Sequence, residues 1–364
     1  MLLSALGIGA LAFGVTDGSD NNASDNDATT DDEEIAGDGD DLHDDSDFFE
    51  HGFTITEGVI SLTNEDDLFS SGSGSDSILG FDGDDTIFGA DGEDIIDGGR
   101  LYDDLYGGAD DDEIKGGRGN DFISGGDGGD HLFGGKNLDG LFGGSGNDVI
   151  YGGTNLDFLV GGDHDDRLFG NGGDDALFGG LGADTLYGGE GDDELVASSL
   201  TNRDLDTNDY IDARSNGFAV NEDDEELFKD FGFTGTTDTA SDTIYGGNGD
   251  DAILIGHDDF FEGGGGEDAF ILGDWSAAPS LGENLSVIND FDTAEDTIVI
   301  AINDDAGESN ITYETEGEGY RILVNGRPIA FVFGEFDQLD GIEADVVTTD
   351  YSIFGSSPAE ATLD

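Results

Sequence analysis

From residue 71 to residue 196 the chain repeats its apolar and polar positions with a period of nine, as in GGSGNDVIY followed by GGTNLDFLV. Fourteen such units run on without insertion or deletion; the sixth position is Asp and the eighth Ile or Leu in all fourteen, and the first is Gly in thirteen. Side chains alternate across a strand, so positions 7–9 predict a short strand with position 8 facing inward and positions 7 and 9 outward. Positions 1–6 then predict the turn. Position 4 is Gly in nine units and otherwise Asn137, Asn155, Asp110, His164 or Leu101. All but Leu are residues that tolerate a left-handed backbone, so Leu101 predicts a strained or altered turn.

A coil of strand, turn, strand, turn needs two units. Fourteen units make seven coils, stacked about 4.8 Å apart through parallel strands, with alternate turns on opposite edges. The expected class is all-β: a parallel β-roll, a two-sheet solenoid of nine-residue repeats. Position 9 is aromatic in Phe88, Tyr106, Phe133, Phe142, Tyr151, Phe169, Phe178 and Tyr187. Alternation puts these outward, where they pack on one another along the ladder or offer a face to a partner.

The flanks read differently. Residues 1–15, MLLSALGIGALAFGV, are apolar but short of a membrane span and lack a basic start; a signal, an anchor and an ordinary apolar terminus all fit. Residues 16–50 read as a disordered acidic spacer and 51–70 as an N-terminal cap. The period breaks over 197–236, an irregular insertion, and returns over 237–271 as a second short array with one unit a residue short. Residues 272–364 predict a C-terminal antiparallel β cap, with a hairpin turn at Asn325-Gly326.

Charge narrows the chemistry. There are 88 Asp and Glu against 10 Lys and Arg, a formal net charge of −78. Such a chain repels nucleic acid and anionic membranes and attracts cations. No Cys is present and the five His are scattered, which argues against disulfides and against zinc or copper. An Asp at every sixth position lies about one strand spacing from the Asp two units away, and such a ladder needs neutralising. Carboxylates and bare peptide carbonyls at flexible geometry suit Ca²⁺ better than Mg²⁺. Seven turns per edge leave six gaps, so the main array holds at most twelve shared sites (2 × 6).

This period resembles the RTX (repeats-in-toxin), hemolysin-type calcium-binding nonapeptide G-G-x-G-x-D-x-U-x. The resemblance implies a β-roll with Ca²⁺ ligands at Asp76, Asp85, Asp94, Asp103, Asp112, Asp121, Asp130, Asp139, Asp148, Asp157, Asp166, Asp175, Asp184 and Asp193. In the second array it implies Asp242, Asp251 and Asp268, with Asp259 after a one-residue slip. The units with Leu101, Asp110, His164 and Asn171 depart from the turn pattern. The segment VINDFDTAEDTIVI is similar to the stretch on the C-terminal side of such arrays in secreted bacterial proteins. That likeness implies a type I secretion apparatus, an extracellular or cell-surface location and folding on calcium outside the cell. The product is then a structural or adhesive surface protein or an export-folding module, with an unknown surface partner. The alternative is a hydrolase or toxin-like effector whose active site lies in 197–236 or the C-terminal region. No metalloprotease HExxH, GxSxG or P-loop motif supports an enzyme.

Overall fold

Ile or Leu at position 8 builds one continuous core. Every such side chain from Ile78 to Leu195 is fully buried, and Ile244, Ile253, Phe261 and Phe270 extend the stack. The computed structural model describes residues 53–198, 240–273, 285–301, 311–333 and 342–343, less Glu57, His257, Thr293 and Glu318. The apolar start, the acidic spacer, nearly all of the irregular insertion and much of the C-terminal tail lie outside the described residues.

The described residues are strands and turns with no helix, arranged as two facing sheets. A long sheet has 15 strands and a short sheet 12, and consecutive repeats alternate between them. The parallel ladders pair each residue with the one 18 positions on, as in Leu132 with Ile150 and Leu141 with Leu159. Two repeats therefore make one coil, as the period predicts. Thr185–Glu190 pairs directly with Thr243–Asn248, and Glu194–Ser198 with Ala252–Leu254. The stacking thus resumes across residues 199–239 without losing register.

The strands are longer than the sequence suggests. A typical one, Val149–Thr154, covers positions 7–9 of one unit and 1–3 of the next. The ladder skips position 1 and resumes at positions 2 and 3, as in Phe133 with Tyr151 and then Gly135 with Gly153. The turn shrinks to positions 4–6. Position 2 shares the left-handed backbone expected at position 4, with φ of 115° at Gly135 and 77° at Asn137. A side chain at Gly99 would strike the Phe81 carbonyl one coil away, so glycine is needed there for space as well as conformation. Leu101 does not alter its turn; it takes φ of 79° and carries the strain.

The ends depart from the roll. Thr54–Thr56 pairs antiparallel with Val59–Ser61, which then joins the long sheet in parallel. At the far end Ser286–Ile288 and Thr297–Ala301 still add as parallel strands. Among the described residues only Ile311–Glu316, Gly319–Val324 and Arg327–Phe333 form the antiparallel cap, with the hairpin turn at Asn325 and Gly326 as expected.

The outward aromatics pack on each other in two ways. On the long sheet Phe133, Tyr151, Phe169, Tyr187 and Tyr245 stack with centroids 4.8–5.2 Å apart and planes within 10°. Phe88 and Tyr106 on the short sheet share this arrangement, 4.7 Å apart with planes within 8°. On the short sheet, Phe122 and Phe158 at position 7 interleave with Phe142 and Phe178 at position 9 in tilted pairs. Tyr187 is 37 % exposed on the first face, whereas Phe158 is 1 % exposed on the second.

Candidate metal centre

Each sixth-position Asp sits where the turn re-enters a strand, and the parallel stacking sets these residues in two files. Asp76, Asp94, Asp112, Asp130, Asp148, Asp166, Asp184, Asp242 and Asp259 run along one edge of the roll, from Asp76 to Asp259, through backbone-to-carboxylate bonds. Asp85, Asp103, Asp121, Asp139, Asp157, Asp175, Asp193, Asp251 and Asp268 run along the other. All eighteen positions named from the sequence therefore fall into register. The short unit shifts the pairing of Asp242 with Asp259 from 18 to 17 residues without breaking the file.

Within a file the geometry repeats. The backbone N–H of each Asp donates to Oδ1 of the Asp one coil on, as Asp121 does to Asp139 at 2.9 Å and Asp139 to Asp157 at 2.9 Å. The Asp carbonyl accepts from the residue just after the next Asp, as Asp139 does from Phe158 at 2.8 Å. The second carboxylate oxygen is left over. Oδ2 is buried without a hydrogen-bond donor in Asp85, Asp94, Asp103, Asp112, Asp130, Asp139, Asp148, Asp157, Asp166, Asp175, Asp193 and Asp251. Native proteins rarely leave one buried polar atom in this condition, let alone a periodic series.

What those oxygens face is further oxygen. A methyl group on Gly134 would lie 2.6 Å from Asp139 Oδ2 and 2.7 Å from the Gly152 carbonyl oxygen. On Gly152 it would lie 2.7 Å from Asp157 Oδ2 and 3.0 Å from the Gly170 carbonyl. Carboxylate and carbonyl oxygens thus crowd a space that only the absence of a side chain keeps open. Burial pushes the carboxyls up: Asp139 to about 7, Asp103 to about 8, and Asp157 and Asp166 to about 9. Neighbouring carboxylates of the same file add to the effect at Asp157. Backbone N–H donation opposes it without cancelling it. An ionised file of this kind calls for positive charge.

Among the described residues no three carboxylate or imidazole side chains converge on one point. A cation here would therefore combine carboxylate oxygen with peptide carbonyls, an all-oxygen set that fits Ca²⁺. Of the two His among the described residues of the roll, His131 is an exposed position-7 residue, and His164 Nδ1 lies 2.8 Å from the Asp163 carbonyl.

A profile of the RTX calcium-binding nonapeptide repeat matches residues 63–96, 70–105, 106–141, 142–177, 160–195 and 236–254. Residues 63–195 and 236–254 carry RTX calcium-binding repeats. No curated protein matches the chain as a relative. The RTX match starts before the first unit counted from the sequence, and the structure shows why. In LTNEDDLFS, residues 62–70, Asp67 holds the sixth position and donates its N–H to Asp85 Oδ1 at 2.9 Å. At the other end FDTAEDTIV, residues 291–299, places Asp296 at the sixth position, where it accepts from Asp268 N–H at 3.2 Å. Both units lack the glycines, but both keep Asp two places before a buried apolar residue, Phe69 and Ile298. That spacing was the signal that sequence reasoning passed over. On the edge that runs from Asp76 to Asp259 the file ends at Ser286, whose hydroxyl accepts from Asp259 N–H at 3.3 Å.

Proposed function

We propose that this RTX protein binds Ca²⁺ along both edges of its roll through the eighteen sixth-position aspartates and the glycine carbonyls of the turns. In this reading the ions complete its folding outside the cell. The observation that carries the proposal is the series of buried, donorless Oδ2 atoms facing carbonyl oxygens. Each is a destabilising feature of the metal-free fold, and each is the kind of ligand a hard cation takes.

Linkage sets the energetics. Extracellular Ca²⁺ modules bind at about 10⁻⁴–10⁻³ M. At ten times the dissociation constant one site stabilises the folded state by about 1.4 kcal/mol. A dozen sites sum to about 17 kcal/mol, at least the whole stability of an ordinary domain. Inside a cell, where free calcium is scarce, the chain stays unfolded and suited to passage through a type I secretion apparatus; outside, ion binding and coil stacking proceed together. The folded product is a rigid surface or export-folding module rather than an enzyme.

Circular dichroism of the full chain in EDTA and in excess Ca²⁺ tests the proposal. The expected outcome is a β spectrum that arises with calcium and not with magnesium. An unchanged spectrum across the two conditions rules out calcium-driven folding.

A further inference from the structure

The few basic residues of this acidic chain are not spread at random. All seven Lys and Arg among the described residues lie in strands of the long sheet. Three of them fall in one column. Arg100 pairs with Arg118 and Arg118 with Lys136 in adjacent parallel strands, so successive cations stand about 4.8 Å apart at the backbone. All three are exposed. Arg100 reaches Asp82 at 3.3 Å, while Arg118 and Lys136 have no ion pair among the described residues. Like charges at neighbouring ladder positions repel, and nothing in the packing requires them there.

The edge around this column is unlike its opposite. At positions 3–5 of four consecutive turns, residues 100–102, 118–120, 136–138 and 154–156, there are three Lys or Arg and no Asp or Glu. At the same positions of the five facing turns, residues 91–93, 109–111, 127–129, 145–147 and 163–165, there are seven Asp or Glu and no Lys or Arg. Beside Arg100 the basic edge also exposes Leu101 and Tyr102, at 55 % and 46 %.

We propose that this edge binds a linear anionic polysaccharide. The polymer lies along the stacking direction, its carboxylate or sulfate groups against Arg100, Arg118 and Lys136, and a sugar ring packs on Tyr102 and Leu101. A linear glycan advances by about one strand spacing per sugar, which matches the pitch of the column. Its charge density is lower than that of a nucleic acid, so it meets less repulsion from a chain of net charge −78. Its pyranose faces offer an apolar surface to an aromatic side chain, which an acidic peptide does not. Guanidinium and ammonium groups supply charge-assisted hydrogen bonds to its anionic groups.

The test is titration of the calcium-loaded full chain with chondroitin sulfate, beside dextran, poly-L-glutamate and single-stranded DNA. Chondroitin sulfate is expected to bind, more weakly as salt rises, and dextran not to bind. The double variant R118E/K136E is expected to lose affinity about tenfold or more, which corresponds to about 1.4 kcal/mol, with its calcium-dependent circular dichroism unchanged. If that variant fails to fold, R118Q/K136Q removes the cations without adding charge and is expected to lose affinity in the same direction. Tyr102→Ala is expected to weaken chondroitin sulfate severalfold and leave any poly-L-glutamate binding untouched. Three results overturn the proposal: affinity unchanged in the folded double variant, dextran binding as well as chondroitin sulfate, or poly-L-glutamate or DNA binding more tightly than the glycan. Because circular dichroism reads the calcium response separately, loss of glycan binding and failure of calcium-driven folding are distinguishable.

Discussion

Asp67 and Asp296, at the two ends of the carboxylate file, hold the same place in the repeat as Asp139 in its middle, and differ from it at one oxygen. Asp67 Oδ2 accepts from both the backbone N–H and the hydroxyl of Thr63, each at 2.8 Å. Asp296 accepts from Asp268 N–H through Oδ1 and from Asp292 N–H through Oδ2, at 3.2 and 2.6 Å. Asp139 has a donor at Oδ1 and none at its buried Oδ2. The chain therefore supplies its own hydrogen-bond donors where the array stops and leaves the second oxygen of interior carboxylates such as Asp139 without one. Both donors come from position 2 of the same unit, Thr63 and Asp292, where the unit of Asp139 has Gly135.

The largest effect that tests this contrast is pH without metal. Burial raises the interior carboxyls to about 6 at Asp85 and Asp94 and to about 9 at Asp157 and Asp166. The ordinary carboxyl value is near 4, so the metal-free roll favours the protonated acids. Its stability is fullest below about pH 4 and is lost as pH rises through the range from about 6 to about 9. In EDTA, β structure is expected to return on acidification to about pH 4 and to vanish at pH 8; a chelated chain equally unfolded at both contradicts the assignment. Calcium binding needs ionised ligands and is expected to run the other way, weakening as the solution is acidified.

Next in size is the substitution of one interior carboxylate. Asp139→Asn removes charge from two inter-coil gaps and is expected to cost about 3 kcal/mol at a calcium level ten times the dissociation constant, shrinking as calcium is lowered. Calorimetric melting across a calcium series checks this dependence. Thr63→Val, at the end of the file, removes one hydroxyl donor and is expected to cost about 1 kcal/mol, by the same amount at every calcium concentration that supports folding. A calcium-dependent cost at Thr63 would erase the distinction between end and interior. The smallest effect lies in one interior turn: Leu101→Gly relieves a left-handed leucine and, after the added chain entropy of glycine, is expected to raise stability by about 0.5–1 kcal/mol. Loss of stability there would show that Leu101 holds its turn by packing.

The two units with Asp67 and Asp296 also show where reading the chain stops. The family signature rests on glycine, and both end units lack it, so they fell outside the repeats counted from the sequence. They remain repeats because the stacking depends on Asp and on the apolar residue two places later, not on glycine as such. The length of the strands was likewise hidden. Positions 1–3 look like a turn because they are Gly-rich, yet a left-handed residue at position 2 brings position 3 back into the ladder, as at Asn171 with φ of 76°. The strain at Leu101 was legible, since no other position-4 residue is so poorly suited to positive φ.

What the sequence by itself determined is everything that recurs: the all-β class, the coil of two units, the buried file of Ile and Leu, and the two files of Asp. A period of nine with strict identities at two positions admits few arrangements, because side-chain alternation and strand spacing do the rest. What only the tertiary structure decided is what differs from one coil to the next. The burial of Phe158 beside the exposure of Tyr187 and the collection of Arg100, Arg118 and Lys136 in one column both depend on which residues lie 18 positions apart on the same side. Those neighbours are distant in the chain and meet only when the coils are stacked.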